Sequence, residues 1–274
     1  MKNAIIFYGF QRSLNVTYLS LMRNIINRYD CDIYGEIPMT ENERNYFNEK
    51  KFNNKIKFLE FNKKYDINIF RKFILDNGLP KSVFSGSPKR NNDTVKLASM
   101  FYNISQSIKS FKKYTKKNNL VYDHVILTRP DLMYEDQPFH LDKIMNSTLN
   151  NELYFSLTWM SEPKFPNYCE KQPPRVGEVA HDTYYDKLLH CLTYKKGENG
   201  LFNDQFLIGD HKSILKLSSL YDSILPMYKD NIIMDNETMI AIHLIRNKIK
   251  VRGVWLNNFK IHRIKRRKKF NSKY

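Results

Sequence analysis

The chain has 274 residues and a formal charge of +17, with 42% hydrophobic and 27% charged residues and 18 each of Tyr and Phe. That length buries a core as one large domain, and the aromatic content excludes a disordered chain. No apolar run approaches the roughly 20 residues that cross a bilayer.

Cys31, Cys169 and Cys191 are odd in number and far apart. This argues against a disulfide framework or a zinc site and for a reducing compartment, with a cytoplasmic location expected. Met1 to Gly9 has one Lys and a short apolar run, and lacks the longer apolar stretch and cleavage site of a signal peptide. The basic surface attracts polyanions. Its dense block is the tail, where Arg263 to Lys273 holds seven basic residues and no acid.

In chain order, Ala4 to Phe10 reads as a buried strand, and Val16 to Tyr29 has apolar residues at helical spacing. Cys31 to Ile37 and Ile56 to Phe61 read as strands. Between them, Thr40 to Lys51 reads as a polar helix opened by a Thr40/Glu43 capping box. Ile67 to Leu75 reads as helix and Phe84 to Asn92 as a loop. A long helix starts at Asp93 or Thr94 and runs to about Lys117. His124 to Thr128 and Leu153 to Leu157 are strands, and the stretch from Thr158 to about Asn199 has no clear period, as functional loop regions often do. Phe202 to Gly209 opens a second organised block, with helices over Lys212 to Leu220 and Glu237 to Asn247. Lys250 to Leu256 and Asn258 to Ile264 are closing strands. Alternating strands and helices predict an α/β fold: one Rossmann-like domain with a mainly parallel central sheet flanked by helices. No repeat or linker divides 1–274.

Ligands of such sheets bind at the carboxyl ends of the strands. Gly9 with Gln11 and Arg12, Arg129 with Asp131, and Asn203-Asp204-Gln205 are the polar clusters near strand ends. Arginines, or a metal on Asp131, would hold a diphosphate leaving group, and Asp204 or Glu237 would position or deprotonate an acceptor hydroxyl. Lys96 would reach a phosphate from the loop end of the long helix. The bland alternatives are a local salt bridge for Arg129/Asp131, a solvated lysine for Lys96 and helix-dipole acids around Glu237. Trp159, Tyr168, Tyr184 and Tyr185 offer faces for stacking on a sugar.

The run from Tyr122-Asp123-His124 through Thr128-Arg129-Pro130-Asp131-Leu132 resembles the core of small GT-A glycosyltransferases, found in large DNA viruses of algae and in bacterial glycan clusters. Gly9-Phe10-Gln11-Arg12-Ser13, Asn203-Asp204-Gln205-Phe206-Leu207-Ile208-Gly209 and the segment from Glu237 are similar to further blocks of that family, in the same order. The resemblance implies a nucleotide-sugar-binding part over 1–135, an acceptor-binding part over 150–260 and a basic tail over 261–274. It implies a nucleotide-sugar donor, with a UDP-sugar such as UDP-xylose expected, and a glycan acceptor on a viral capsid glycoprotein modified in the host cytoplasm.

Residue by residue, the resemblance puts Gly9, Gln11, Arg12, Lys96 and Arg129 near the donor. Asp131 and His262 would be ligands of a divalent metal, expected to be manganese. Asp204 would face the sugar or acceptor, and Glu237 would be a base for an inverting reaction. The family's Asp-x-Asp is replaced here by Arg129-Pro130-Asp131, so a metal-free site in which Arg and Lys hold the diphosphate stays open. The rival readings are a basic nucleic-acid-binding protein, for which no known motif is present, and an inactive member of the same fold.

Overall fold

A computed structural model describes residues 1–10, 13–38, 52, 54–62, 66–80, 82–84, 91–134, 141–157, 202–232, 234, 236–255 and 259–261. The expected Thr40 to Lys51 helix, the 158–199 region with its aromatics, Gln11, Arg12 and the tail lie outside them.

The strands are β1 (Asn3–Phe7), β2 (Cys31–Pro38), β3 (Ile56–Asn62), β4 (Ser82–Phe84), β5 (Asn91–Asp93), β6 (His124–Thr128), β7 (Leu132–Tyr134), β8 (Glu152–Leu157), β9 (Phe202–Gly209), β10 (Lys250–Trp255) and β11 (Phe259–Ile261). The helices are α1 (Leu14–Leu21), α2 (Ile67–Asp76), α3 (Thr94–Lys117), α4 (Asp142–Met145), α5 (His211–Lys216), α6 (Ile224–Lys229) and α7 (Asn236–Arg246). One π-helical turn, Met22–Ile26, prolongs α1. Seven strands form the central sheet in the order β10-β8-β9-β6-β1-β2-β3. Every neighbouring pair is parallel except those of β9, which runs antiparallel to both β6 and β8. The fold is therefore α/β with a mainly parallel sheet, as expected. The segment expected as a loop at Phe84 to Asn92 is bounded by a small antiparallel pair, β4 with β5.

Alternation along β1 explains its central place. Ala4 and Ile6 face one core with the long helix α3, while Ile5 and Phe7 face the other with α1 and its π turn. Both faces are covered, so the strand is apolar throughout, as parallel strands are. Gly35 of β2 stands beside Phe7, where a Cβ would come within 2.9 Å of the Phe7 carbonyl oxygen.

The cores also bury titratable rings. Tyr34 donates to Tyr122 across 2.6 Å, and Tyr122 donates to Asp32 at 2.7 Å. Burial pushes Tyr34 up to about 12 and also raises Tyr8, Tyr122 and Tyr134. It lowers the pKa of His124, His211 and His243. His124 is fully buried with both ring nitrogens within hydrogen-bonding distance of oxygens, Asn3 Oδ1 and the Ser147 carbonyl.

These shifts bound the stability from both sides. A raised tyrosine pKa means the folded state keeps protons that the unfolded chain releases, so stability is lost as pH rises above the unfolded value of 10.0. A lowered histidine pKa means the unfolded chain takes up protons first, so stability is lost as pH falls below 6.5. Denaturant unfolding across pH is expected to show a plateau between those limits and losses beyond each. A profile unchanged well above pH 10.0 would show these tyrosines reach solvent before unfolding.

Candidate functional site

Gly9, Arg129, Asp131 and Asp204, the described members of the polar clusters, meet at the carboxyl edge of β1 and β6. The Tyr8 amide donates to the Thr128 carbonyl at 3.1 Å, adding one more rung after β1 ends. Gly9, at φ +76°, then turns the chain off the sheet, a conformation that disfavours other residues. Two residues past the end of β6, Pro130 has no amide to continue a ladder. Its carbonyl instead accepts the Thr17 hydroxyl at 2.8 Å, which ties the turn to α1.

Asp131 is fully buried. Arg129 reaches it with both ends of one edge: Nε donates to Oδ1 at 2.8 Å and Nη2 to Oδ2 at 2.7 Å. The Arg129 side chain keeps 19% exposure while Asp131 has none. Burial opposes the charge of Arg129, but the Asp131 hydrogen bonds and charge outweigh it, and the guanidinium stays ionised. Removing one member of such a pair leaves a buried charge, at a cost of about 3–5 kcal/mol.

β9 enters from the other direction. Thr128 pairs with Phe206, so the stretch from Asn203 to Gln205 runs past the end of β6 into the same edge. Asp204 is only 6% exposed, and its carbonyl accepts the Tyr8 hydroxyl at 2.6 Å. Thr128 Oγ1 donates to the Gln205 carbonyl at 3.0 Å, so the Tyr134 hydroxyl, 3.0 Å away, is the donor to Thr128. Burial, then the Asp204 charge, raises the Tyr8 pKa well above its ordinary value, against the opposing pull of Arg129. Tyr8 is thus a phenol donor at neutral pH. Asp204 and Asp131 flank Arg129 closely enough for both to act on its charge.

Of the expected site residues, Gly9, Arg129, Asp131 and Asp204 are brought together. Glu237 is half-buried in the first turn of α7. A short turn joins the end of α7 to the start of β10, so Glu237 lies toward the same sheet edge, over β9 and β10. Lys96 is exposed in the first turn of α3. The Ser107 hydroxyl of that helix donates to the Glu36 carbonyl of β2, which puts Lys96 about 16 Å farther along the axis, beyond the sheet edge. Gln11, Arg12 and His262 lie outside the described residues. Tyr8, Thr128 and Tyr134 join the site unannounced, because as apolar or β-branched strand residues they read as core.

A divalent cation would need several ligating side chains together. Among the described residues no group of three or more His, Cys, Asp or Glu could hold one. Asp131, the acid expected to do so, has both oxygens on Arg129. The described residues therefore do not form a metal site. β11 pairs with β7, with Ile261 opposite Leu132, so this small sheet ends beside Asp131. Among the described residues no helix is long and apolar enough to cross a membrane.

No protein-family model matches the chain, and no curated protein matches it in sequence. Among solved structures it is similar to the galactosyltransferase LgtC in complex with donor and acceptor sugar analogs. That likeness has 14% identity, 92% of this chain and 72% of that one covered, and a TM-score of 0.44. It is also similar to mouse xyloside xylosyltransferase 1, with 14% identity, 91% and 83% covered and a TM-score of 0.39. A third likeness is to mannose-1-phosphate geranyltransferase from Thermus thermophilus, with 9% identity, 95% and 76% covered and a TM-score of 0.42. These are likenesses of chain path at low identity.

Tyr8→Phe removes the donor to the Asp204 carbonyl and leaves a buried acceptor unmet. A loss of about 1–3 kcal/mol in denaturant unfolding is expected. A variant as stable as the parent would show that this bond does not hold the end of β9.

Proposed function

We propose that the chain is a glycosyltransferase that moves a sugar from a nucleotide-sugar donor to a glycan acceptor. The observation that carries this reading is the Arg129 guanidinium, held in fixed geometry at the carboxyl edge of the parallel strands with Asp204 beside it. Breaking the bond between sugar and diphosphate builds negative charge on the leaving group. A cation already in position stabilises that charge without reorganising. Open α/β sheets bind ligands at this edge.

The acceptor hydroxyl needs a group to orient it and take its proton. Asp204, on the strand that enters the edge from the opposite direction, is the carboxylate assigned to that role, with Glu237 as the second acid on the same side. Tyr8 and Thr128 bind the backbone carbonyls of Asp204 and Gln205 and so hold the assigned carboxylate's strand in place. The resemblance of the sequence blocks to viral and bacterial enzymes extends the proposal to a UDP-sugar donor, UDP-xylose among them. It extends it also to a capsid glycoprotein acceptor modified in the cytoplasm. The net charge of +17 keeps one rival in the test, a nucleic-acid ligand.

The deciding measurement is thermal unfolding with UDP, GDP, UDP-sugars or single-stranded DNA, each with and without manganese. A ligand at about 100 times its Kd adds about 2.7 kcal/mol to stability, so a bound nucleotide is expected to raise Tm by several degrees. A rise with DNA alone would overturn the transferase reading and make the basic surface the functional feature.

A further inference from the structure

Resting on the transferase reading, we propose that Arg129 takes the place of the divalent cation and binds the donor's diphosphate directly, with Asp131 as its positioning residue rather than a metal ligand. The observation is how the two side chains are spent. Arg129 has five N–H donors. Asp131 takes one from Nε and one from Nη2, along the side edge of the guanidinium. Three donors remain, both on Nη1 and the second on Nη2. Two of them, one on each Nη, make up the end-on edge, and the third points back along the side chain; none has a hydrogen bond to a described residue. No guanidinium nitrogen is among the buried atoms lacking a partner, and the side chain keeps 19% exposure. The open edge therefore reaches solvent at the site.

Asp131 is in the reverse position. It is fully buried and both its oxygens lie against one guanidinium. Turning it to a cation would break both bonds and strand the buried side of Arg129, which costs more than an exposed metal ligand would lose. A planar fork with two parallel donors matches two phosphate oxygens at once, where a lysine would offer only a point charge. Pinning the fork at its other edge removes the rotamer freedom that diphosphate binding would otherwise have to restrict. The buried carboxylate thus supplies orientation, and the arginine supplies the contact.

The test is calorimetric binding of UDP and of inorganic pyrophosphate to the full chain, in excess EDTA and in manganese. Affinities equal within about twofold in the two conditions are expected. Arg129→Lys keeps the charge and loses the fork, and is expected to weaken both ligands at least about tenfold, the scale of a lost charge-assisted hydrogen bond. The double variant Arg129→Met/Asp131→Leu removes both charges together, which commonly preserves or raises stability, so it separates binding from folding. It is expected to unfold like the parent and to lose diphosphate binding.

UDP binding that requires manganese would keep the transferase reading and overturn this inference. Undiminished pyrophosphate binding by the folded double variant would overturn it too, leaving the ion pair a purely structural role. If no nucleoside diphosphate binds in either condition, the transferase reading fails and this inference fails with it.

Discussion

The edge of the sheet is organised around one constraint: a carboxylate with no access to water must be met by a cation. Asp131 satisfies it with Arg129, two residues earlier. Residues i and i+2 share one face even of an extended chain, and between them Pro130, which has no amide for a ladder, suits a bend. The bend ends β6 at Thr128 and sends Leu132–Tyr134 off as β7, outside the main sheet, to pair with β11 instead. The ion pair therefore sits where the central strand stops, beside the small sheet that follows it. An arginine is the residue able to meet that carboxylate, because it remains charged when four-fifths covered.

The reversal of β9 is the second organising feature. Along Phe202–Gly209 the polar residues come first and the apolar run Phe206-Leu207-Ile208 follows. A parallel strand would place such a polar beginning at the edge remote from Arg129. Because β9 runs against β6 and β8, its apolar part fills the sheet between them while Asn203, Asp204 and Gln205 arrive at the carboxyl edge. The register shift opposite Phe155 and Ser156 falls at this change of character. One strand thus contributes a core segment and an acidic side chain to the site, without a separate loop.

Much of this was legible in the sequence. Strand periodicity placed β2, β3, β6, β8 and β10 within about one residue and β1 within about three, since each is a short apolar run between turn residues. The long helix α3 was visible in its regular spacing from Leu97 to Phe111. The direction of β9 was not, because antiparallel and parallel strands share the same two-residue period. Nor were β7 and α4, three and four residues long, too short to establish any period. At the site, Arg129, Asp131 and Asp204 stood out as charges beside apolar strands. Tyr8, Thr128 and Tyr134 did not, because their hydroxyls matter only once β1, β6, β7 and β9 are side by side. The ion pair itself was expected only as the bland alternative to metal binding. That Asp131 would be wholly buried could not be read from a three-residue spacing.

Those three hydroxyls answer a question the reversed strand raises. β9 leaves its ladder with β6 at Phe206, and from there toward Phe202 its backbone carbonyls on that side lose their strand partner. Buried carbonyls without donors are costly. The Gln205 carbonyl takes the Thr128 hydroxyl and the Asp204 carbonyl takes the Tyr8 hydroxyl, each a side chain from the last rungs of the neighbouring strands. Tyr134 in turn gives its proton to Thr128, whose own proton is already committed. Side-chain donors thereby continue the ladder where backbone donors run out. A strand end held in this way cannot fray as a free end would, so the Asp204 carboxylate keeps its distance from Arg129. Electrostatic stabilisation of a leaving group demands a charge arrangement that does not relax when the reaction begins. The bonds that make the reversed strand tolerable in the fold are the same ones that give its acidic residue a fixed address.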